Sequence, residues 1–143
     1  MAEIFTEFIQ AVDEFQLGVL ARKLGSVPVH LEFVEVEDAR GQVFKRNGQY
    51  ILQVDPQLET NQFFKTFLHE CAHLRLHQNA IPEMVKTKPT NNGFQLSEIG
   101  RNIQRNLINQ REMEADELAL VWYELAGSGS IRKRIKELQK YFP

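Results

Sequence analysis

Leu68-His69-Glu70-Cys71-Ala72-His73-Leu74-Arg75-Leu76-His77 contains the pattern H-E-x-x-H. Read as a helix, this stretch puts His69 and His73 one turn apart on a shared face, where both imidazoles can hold one metal ion. Glu70 stands one step round the helix, placed to take a proton from water beside that metal. With His69 at zero, His73 falls at about 40°, Thr66 at about 60°, His77 at about 80° and Glu70 at about 100°. Phe63, Leu74, Phe67, Cys71, Phe64 and Leu68 cover roughly 120° to 260°. One strip carries chemistry and the opposite strip is apolar. Such a helix is expected to dock on a sheet and present its ligands to a cleft. Cys71, on the apolar strip, reads as a small buried residue.

Working outward, the helix is expected to start after Asp55-Pro56 and run to about Gln78. Before it, Gly41 to Asn47 and Gln49 to Asp55 read as strands joined by Asn47-Gly48, a turn whose two residues must both tolerate positive φ. Val27 to Val36 alternates apolar Val29, Leu31 and Phe33 with His30 and Glu32, as a half-buried strand does. Ile4 to Leu24 carries apolar residues at helical spacing and stops at Gly25. Residues 80–96 hold Pro82, Pro89, Asn91, Asn92 and Gly93, which suggests a loop or lid. A long helix is expected from about Leu96 to Ala126, with breaks conceivable at Gly100 or Asn109. Gly127-Ser128-Gly129-Ser130 interrupts it, and Ile131 to Phe142 reads as a short basic helix. The order α, β, β, β, α, α, α predicts a single α+β domain over residues 1–143, with a small sheet and a mostly helical C-terminal half.

The whole chain narrows the function classes. Its 143 residues suffice for one domain with a real core, and its 43% hydrophobic and 25% charged content are those of a globular protein. A formal net charge of −2 gives no electrostatic case for direct nucleic-acid or anionic-membrane binding. The single cysteine excludes an internal disulfide framework and suits a reducing compartment. Glu3 and Glu7 lie where a signal peptide would be basic and apolar, so a cytoplasmic protein is expected.

Two histidines leave a zinc site one protein ligand short. Glu112-Met113-Glu114-Ala115-Asp116-Glu117 offers candidates. With Glu112 at zero, Asp116 lies at about 40°, Ala119 at about −20° and Ala115 at about −60°. Glu114 and Glu117 point away, at about 200° and 140°. The Glu112 face thus carries two small residues that permit close approach to the histidine helix. Asp116 could accept a hydrogen bond from the outer N–H of a ligand histidine. Glu112 is therefore the favoured ligand, with Glu114 as the runner-up. Three residues after His73 the sequence has Leu76, and six after it Asn79, where a metzincin has glycine and histidine, so that class fails. His77 reads as a late-turn residue favoured by the helix dipole. His30, alone in a strand, reads as structural or exposed. Tyr123, His77 and Arg111 are candidate donors to a developing oxyanion.

Leu68 to His77, together with Glu112 to Ala119, resembles the ImmA/IrrE family of metallopeptidases, over roughly residues 27 to 125. That family shows H-E-x-x-H followed by leucines and a further histidine, then E-x-x-A-[DN]-x-F-A. Leu118 stands where the family usually has phenylalanine, and the segment between the motifs is long. The resemblance implies Zn2+ bound by His69, His73 and Glu112, with Glu70 as catalytic base, a ligand set similar to that of thermolysin-like enzymes. It further implies an endopeptidase that cuts a specific protein partner, often a helix-turn-helix repressor, in stress response or mobile-element control. The alternative is a metal-containing module that docks such a partner without cutting it. A purely structural metal site is a third reading, disfavoured because it needs no free carboxylate beside it and prefers four protein ligands. Arg132-Lys133-Arg134, Lys136 and Lys140 are expected to form a solvated helix face.

Overall fold

The structure, a computed structural model, describes residues 14–36, 39–83 and 98–142. Helix α1 (Glu14–Gly25) leads into strand β1 (Val29–Phe33), followed by β2 (Gly41–Arg46), β3 (Gln49–Val54), α2 (Thr60–Leu76), a single 3-10 turn (Gln78–Ala80), α3 (Glu98–Ala126) and α4 (Ile131–Gln139). The class is α+β, with an N-terminal helix, a mixed three-stranded sheet and a helical C-terminal half. The expected helix over residues 4–13 and most of the expected loop at 80–96 lie outside the described residues. None of the described helices is long and apolar enough to cross a membrane.

The Asn47-Gly48 turn forms as the sequence requires, with φ of 53° and 79°. It pairs β2 with β3 antiparallel, Arg46 opposite Gln49 and Gly41 opposite Val54. β1 joins the other side of β3, parallel, so the order is β1-β3-β2. β3 is thus the central strand, and Ile51, Leu52 and Val54 are buried. β2 is an edge strand. One face of the sheet, carrying Val29, Leu52 and Val54, joins the main core. The other carries a polar network: Gln42 donates to Gln53 (2.7 Å), while Gln53 (2.7 Å) and Arg46 (2.9 Å) donate to Glu32. Those bonds, that from Arg46 first, hold the Glu32 carboxyl below its usual range. His30 lies on this face beside Glu32 and remains mostly exposed.

α2 begins where Glu59 caps it, its carboxylate accepting from the Asn61 and Gln62 amides. The apolar strip read from the sequence is the buried one: Phe63, Phe64, Phe67, Leu68, Cys71 and Leu74 are at most 1% exposed. They pack with Leu17, Leu20 and Leu24 of α1, with Ala115, Ala119, Trp122 and Ala126 of α3, and with Ile131, Ile135 and Leu138 of α4. Arg75 ties the end of α2 to that of α1, donating to Leu24 O (3.2 Å) and Ser26 Oγ (2.8 Å).

Several boundaries differ from expectation. The first strand is five residues long and does not extend from Val27 to Val36. α2 ends at Leu76, and its last turn tightens into the 3-10 segment. α3 runs unbroken through Gly100 and Asn109, because the cost of one poor helix former is about 1 kcal/mol or less and many neighbours share it. The terminal helix is not wholly solvated: Arg134 is buried, donates to Asn61 Oδ1 (2.8 Å) and stacks its guanidinium over Phe64 and Tyr123.

Candidate metal centre

The polar strip of α2 faces α3, and Ala115 and Ala119 are the buried contact between them. Their small size lets the two helices approach closely, and this brings the Glu112 carboxylate between the imidazoles. Glu112 Oε2 lies 2.8 Å from His69 Nε2, Glu112 Oε1 lies 3.1 Å from His73 Nε2, and the two Nε2 atoms are 3.1 Å apart. Glu70 adds a carboxylate oxygen within 4.8 Å of the ring nitrogens of His69 and His73.

The donor set fits a zinc ion. Tetrahedral bonds of about 2.0–2.1 Å put neighbouring ligand atoms about 3.3 Å apart; the two Nε2 atoms lie 3.1 Å apart, and each sits beside a different oxygen of Glu112, at 2.8 and 3.1 Å. The protonation logic agrees. His69 Nδ1 is 2.7 Å from Asp116 Oδ1, and a carboxylate only accepts, so Nδ1 carries the proton. By the same rule Nε2, 2.8 Å from Glu112 Oε2, donates to that carboxylate when no metal is bound, and a metal at Nε2 would take the place of that proton while Nδ1–H stays on Asp116. Zn2+ bound in this way would be held by His69, His73 and Glu112, leaving a coordination position for water or substrate. Among the described residues the buried and half-buried group that could hold an ion is His69, Glu70 and His73, with no further histidine or cysteine, and the more exposed Glu112 approaches both imidazoles from α3.

Glu70 is buried while its neighbours are partly open. Loss of hydration, reinforced by the nearby Glu112 and opposed by His69, pushes its pKa up to about 7. Burial also depresses His73, favouring the neutral ring that a metal needs. Cys71 is fully buried, its thiol held well above the ordinary range, consistent with a packing role. Gly41 of β2 sets the wall over Glu70. A Cβ there would stand 2.8 Å from Thr66 Cγ2 and 2.9 Å from Gln53 O, so only glycine lets the edge strand sit this close to α2.

Two openings meet at Glu70, Gly41 and Glu112. One, of about 310 Å³, is also lined by Val43, His73, Ile81, Pro82, Ile108 and Arg111. The other, of about 460 Å³, is also lined by Arg40, Lys65, Thr66, His69 and Asp116. The outer edge of β2, bridged at Lys45 by the 81–83 segment, borders both. The Lys45 amide donates to Pro82 O (2.8 Å), which shows that odd-numbered residues of β2 turn their amides outward. Val43 and Gly41, two and four residues earlier, therefore present theirs along the cleft.

The residues singled out from the sequence separate clearly. His69, Glu70, His73, Glu112 and Asp116 come together. Glu114 points elsewhere, its Oε1 3.6 Å from His77 Nε2. Tyr123 packs on Phe64 and lines a hollow that shares Lys65, His69 and Asp116 with the second opening. Arg111 lines the cleft. His77 is more than a late-turn residue: its Nδ1 lies 3.1 Å from His73 Nδ1. The signal was present in the sequence, since His77 follows His73 at the same four-residue spacing that links His73 to His69. No family model, curated protein or solved structure matches the chain, so the likeness to ImmA/IrrE rests on the two motifs themselves.

Proposed function

We propose that this chain is a zinc-dependent endopeptidase that cuts an extended segment of a protein partner. The observation that carries this reading is the triangle of His69, His73 and Glu112 beside a buried carboxylate that is not needed to close it. A zinc ion held there would supply Lewis acidity toward water and the scissile carbonyl oxygen. Glu70, buried beside that ion, is placed to take the proton of the attacking water and return it to the leaving amine. The outward amides and carbonyls of Gly41 and Val43 would hold the substrate backbone as an added strand. Arg111, on the wall of the opening that holds Glu70, His73 and Glu112, is a candidate for stabilising the oxyanion. Openings on both sides of Glu70 suit cleavage within a chain rather than at its end. The motif resemblance adds the partner: a helix-turn-helix repressor, in stress response or mobile-element control.

The test is metal analysis and cleavage assay of the wild type beside Glu70→Gln. Glu70→Gln is expected to keep stoichiometric zinc and lose cleavage by about 10²–10⁴-fold. Cleavage at the wild-type rate by this variant would remove Glu70 from the mechanism. A wild type that binds zinc and a repressor without cutting it would move the protein to the docking-module reading.

A further inference from the structure

His73 has a different neighbour at each ring nitrogen. Its Nε2 faces His69 Nε2 and Glu112 Oε1, both at 3.1 Å. Its Nδ1 faces His77 Nδ1, also at 3.1 Å. A neutral imidazole has one N–H and one lone pair. If His73 binds a cation through Nε2, its proton must sit on Nδ1, and His77 Nδ1 must accept it. That assignment fixes the second ring as well, because His77 Nε2 then carries its proton. Yet His77 Nε2 is buried with no hydrogen-bond partner among the described residues, and Glu114 Oε1 stands 3.6 Å away. A buried N–H without a close partner is unfavourable, so packing alone gives no reason for an imidazole here. The value of this side chain lies at its other nitrogen. The backbone holds it in place, as the His77 amide donates to His73 O at 2.8 Å.

We propose that His77 is the positioning residue for His73, holding its Nδ1 proton so that Nε2 is the metal-binding atom, as Asp116 does for His69. The inference rests on the zinc reading above and extends it to a residue outside the ligand set. The two outer partners differ in chemistry. A carboxylate on His69 makes that ring a stronger donor, whereas a neutral ring on His73 fixes orientation and tautomer without adding charge. The arrangement keeps the total charge around the cation lower than two carboxylate partners would.

Zinc titration of the metal-free protein against a competing chelator, with His77→Asn and His77→Leu, tests this. Asparagine places Oδ1 close to where Nδ1 was, and leucine fills similar space without an acceptor. His77→Leu is expected to bind zinc about 10–100-fold more weakly, and His77→Asn to stay within about threefold of wild type. In the zinc-loaded wild type, ring-nitrogen NMR should show His73 protonated at Nδ1 and bound at Nε2. Equal affinity of His77→Leu and wild type, equal loss in both variants, or His73 bound through Nδ1 would each overturn the proposal. Melting of the metal-free variants reports on folding. Should His77→Leu be unfolded, His77→Asn and the wild-type nitrogen spectrum still decide. A wild type that binds no zinc sinks the metal reading and this proposal together. Zinc binding without the Leu/Asn split sinks this one alone.

Discussion

The helix that brings the histidines and the helix that brings the carboxylates are built differently. α2 lies in the core, with eight buried residues along it and both histidines mostly covered. α3 is exposed from residue 102 to residue 114 apart from the half-buried Arg111, and touches the core through Ala115, Ala119, Trp122 and Ala126. The imidazoles are therefore set by packing. Glu112, at the border between the free and the packed part of α3, is set by how its helix lies on α2. A divalent ion in the triangle would pin the second helix to the first. Metal binding should thus stabilise the protein through α3, by about 4 kcal/mol when free zinc exceeds its Kd a thousandfold.

The largest expected effect breaks that bridge. Glu112→Gln removes an anionic ligand and should weaken zinc by more than about 100-fold, beyond what loss of an outer partner causes. Glu117→Gln, on the far face of the same helix, should leave the affinity unchanged. Competition titration checks both, and equal losses in the two variants would make the effect a general electrostatic one.

The next effect isolates the buried side. Glu70 is raised from an ordinary 4.5 to about 7, so its neutral form is favoured in the fold. Its contribution to stability is complete below pH 4.5 and lost as pH rises through about 7. His73, depressed from 6.5, works in the opposite sense, its contribution present above that value and lost as pH falls. Comparing metal-free wild type with Glu70→Gln leaves the His73 contribution common to both. The glutamine variant should gain on wild type by on the order of 3 kcal/mol between pH 4.5 and 8, measured by chemical denaturation. Parallel curves would mean that Glu70 is hydrated.

The contrast between the helices also explains what the sequence could and could not reveal. α2 was legible because its apolar strip and its polar strip are separated on the wheel, and burial follows the strip. The Asn47-Gly48 hairpin was legible because few residue pairs accept φ of 53° and 79°. That Glu112 rather than Glu114 lies beside the two imidazoles was legible from Ala115 and Ala119, whose size matters only if a second helix comes close. The strand order was not legible: β1 and β3 pair in parallel across an intervening strand, and no local pattern encodes that. Nor was the closeness of β2 to Glu70, which depends on Gly41 meeting Thr66 from a different element. The ends of elements failed where propensity is nearly flat, as at Gly100 and Asn109 in α3.

The remaining carboxylates of α3 give the finest test of the comparison, because each lies near a different histidine at a different distance. Asp116 is 2.7 Å from His69 Nδ1, a full hydrogen bond to a ring whose other nitrogen faces Glu112 at the proposed metal position. Asp116→Asn keeps the shape and can still accept the proton, but withdraws the charge, so zinc affinity should fall by about tenfold, at the low end for an outer partner. Glu114 is 3.6 Å from His77 Nε2, beyond hydrogen-bond range, and about half of its side chain is in solvent. Water and salt screen such a charge, and one more ring separates it from the proposed metal position. Glu114→Gln should therefore change zinc affinity by no more than about threefold. If Glu114→Gln instead matched Asp116→Asn, α3 would have to sit closer to His77 once metal is bound, and the exposed part of the helix would be a moving half of the site.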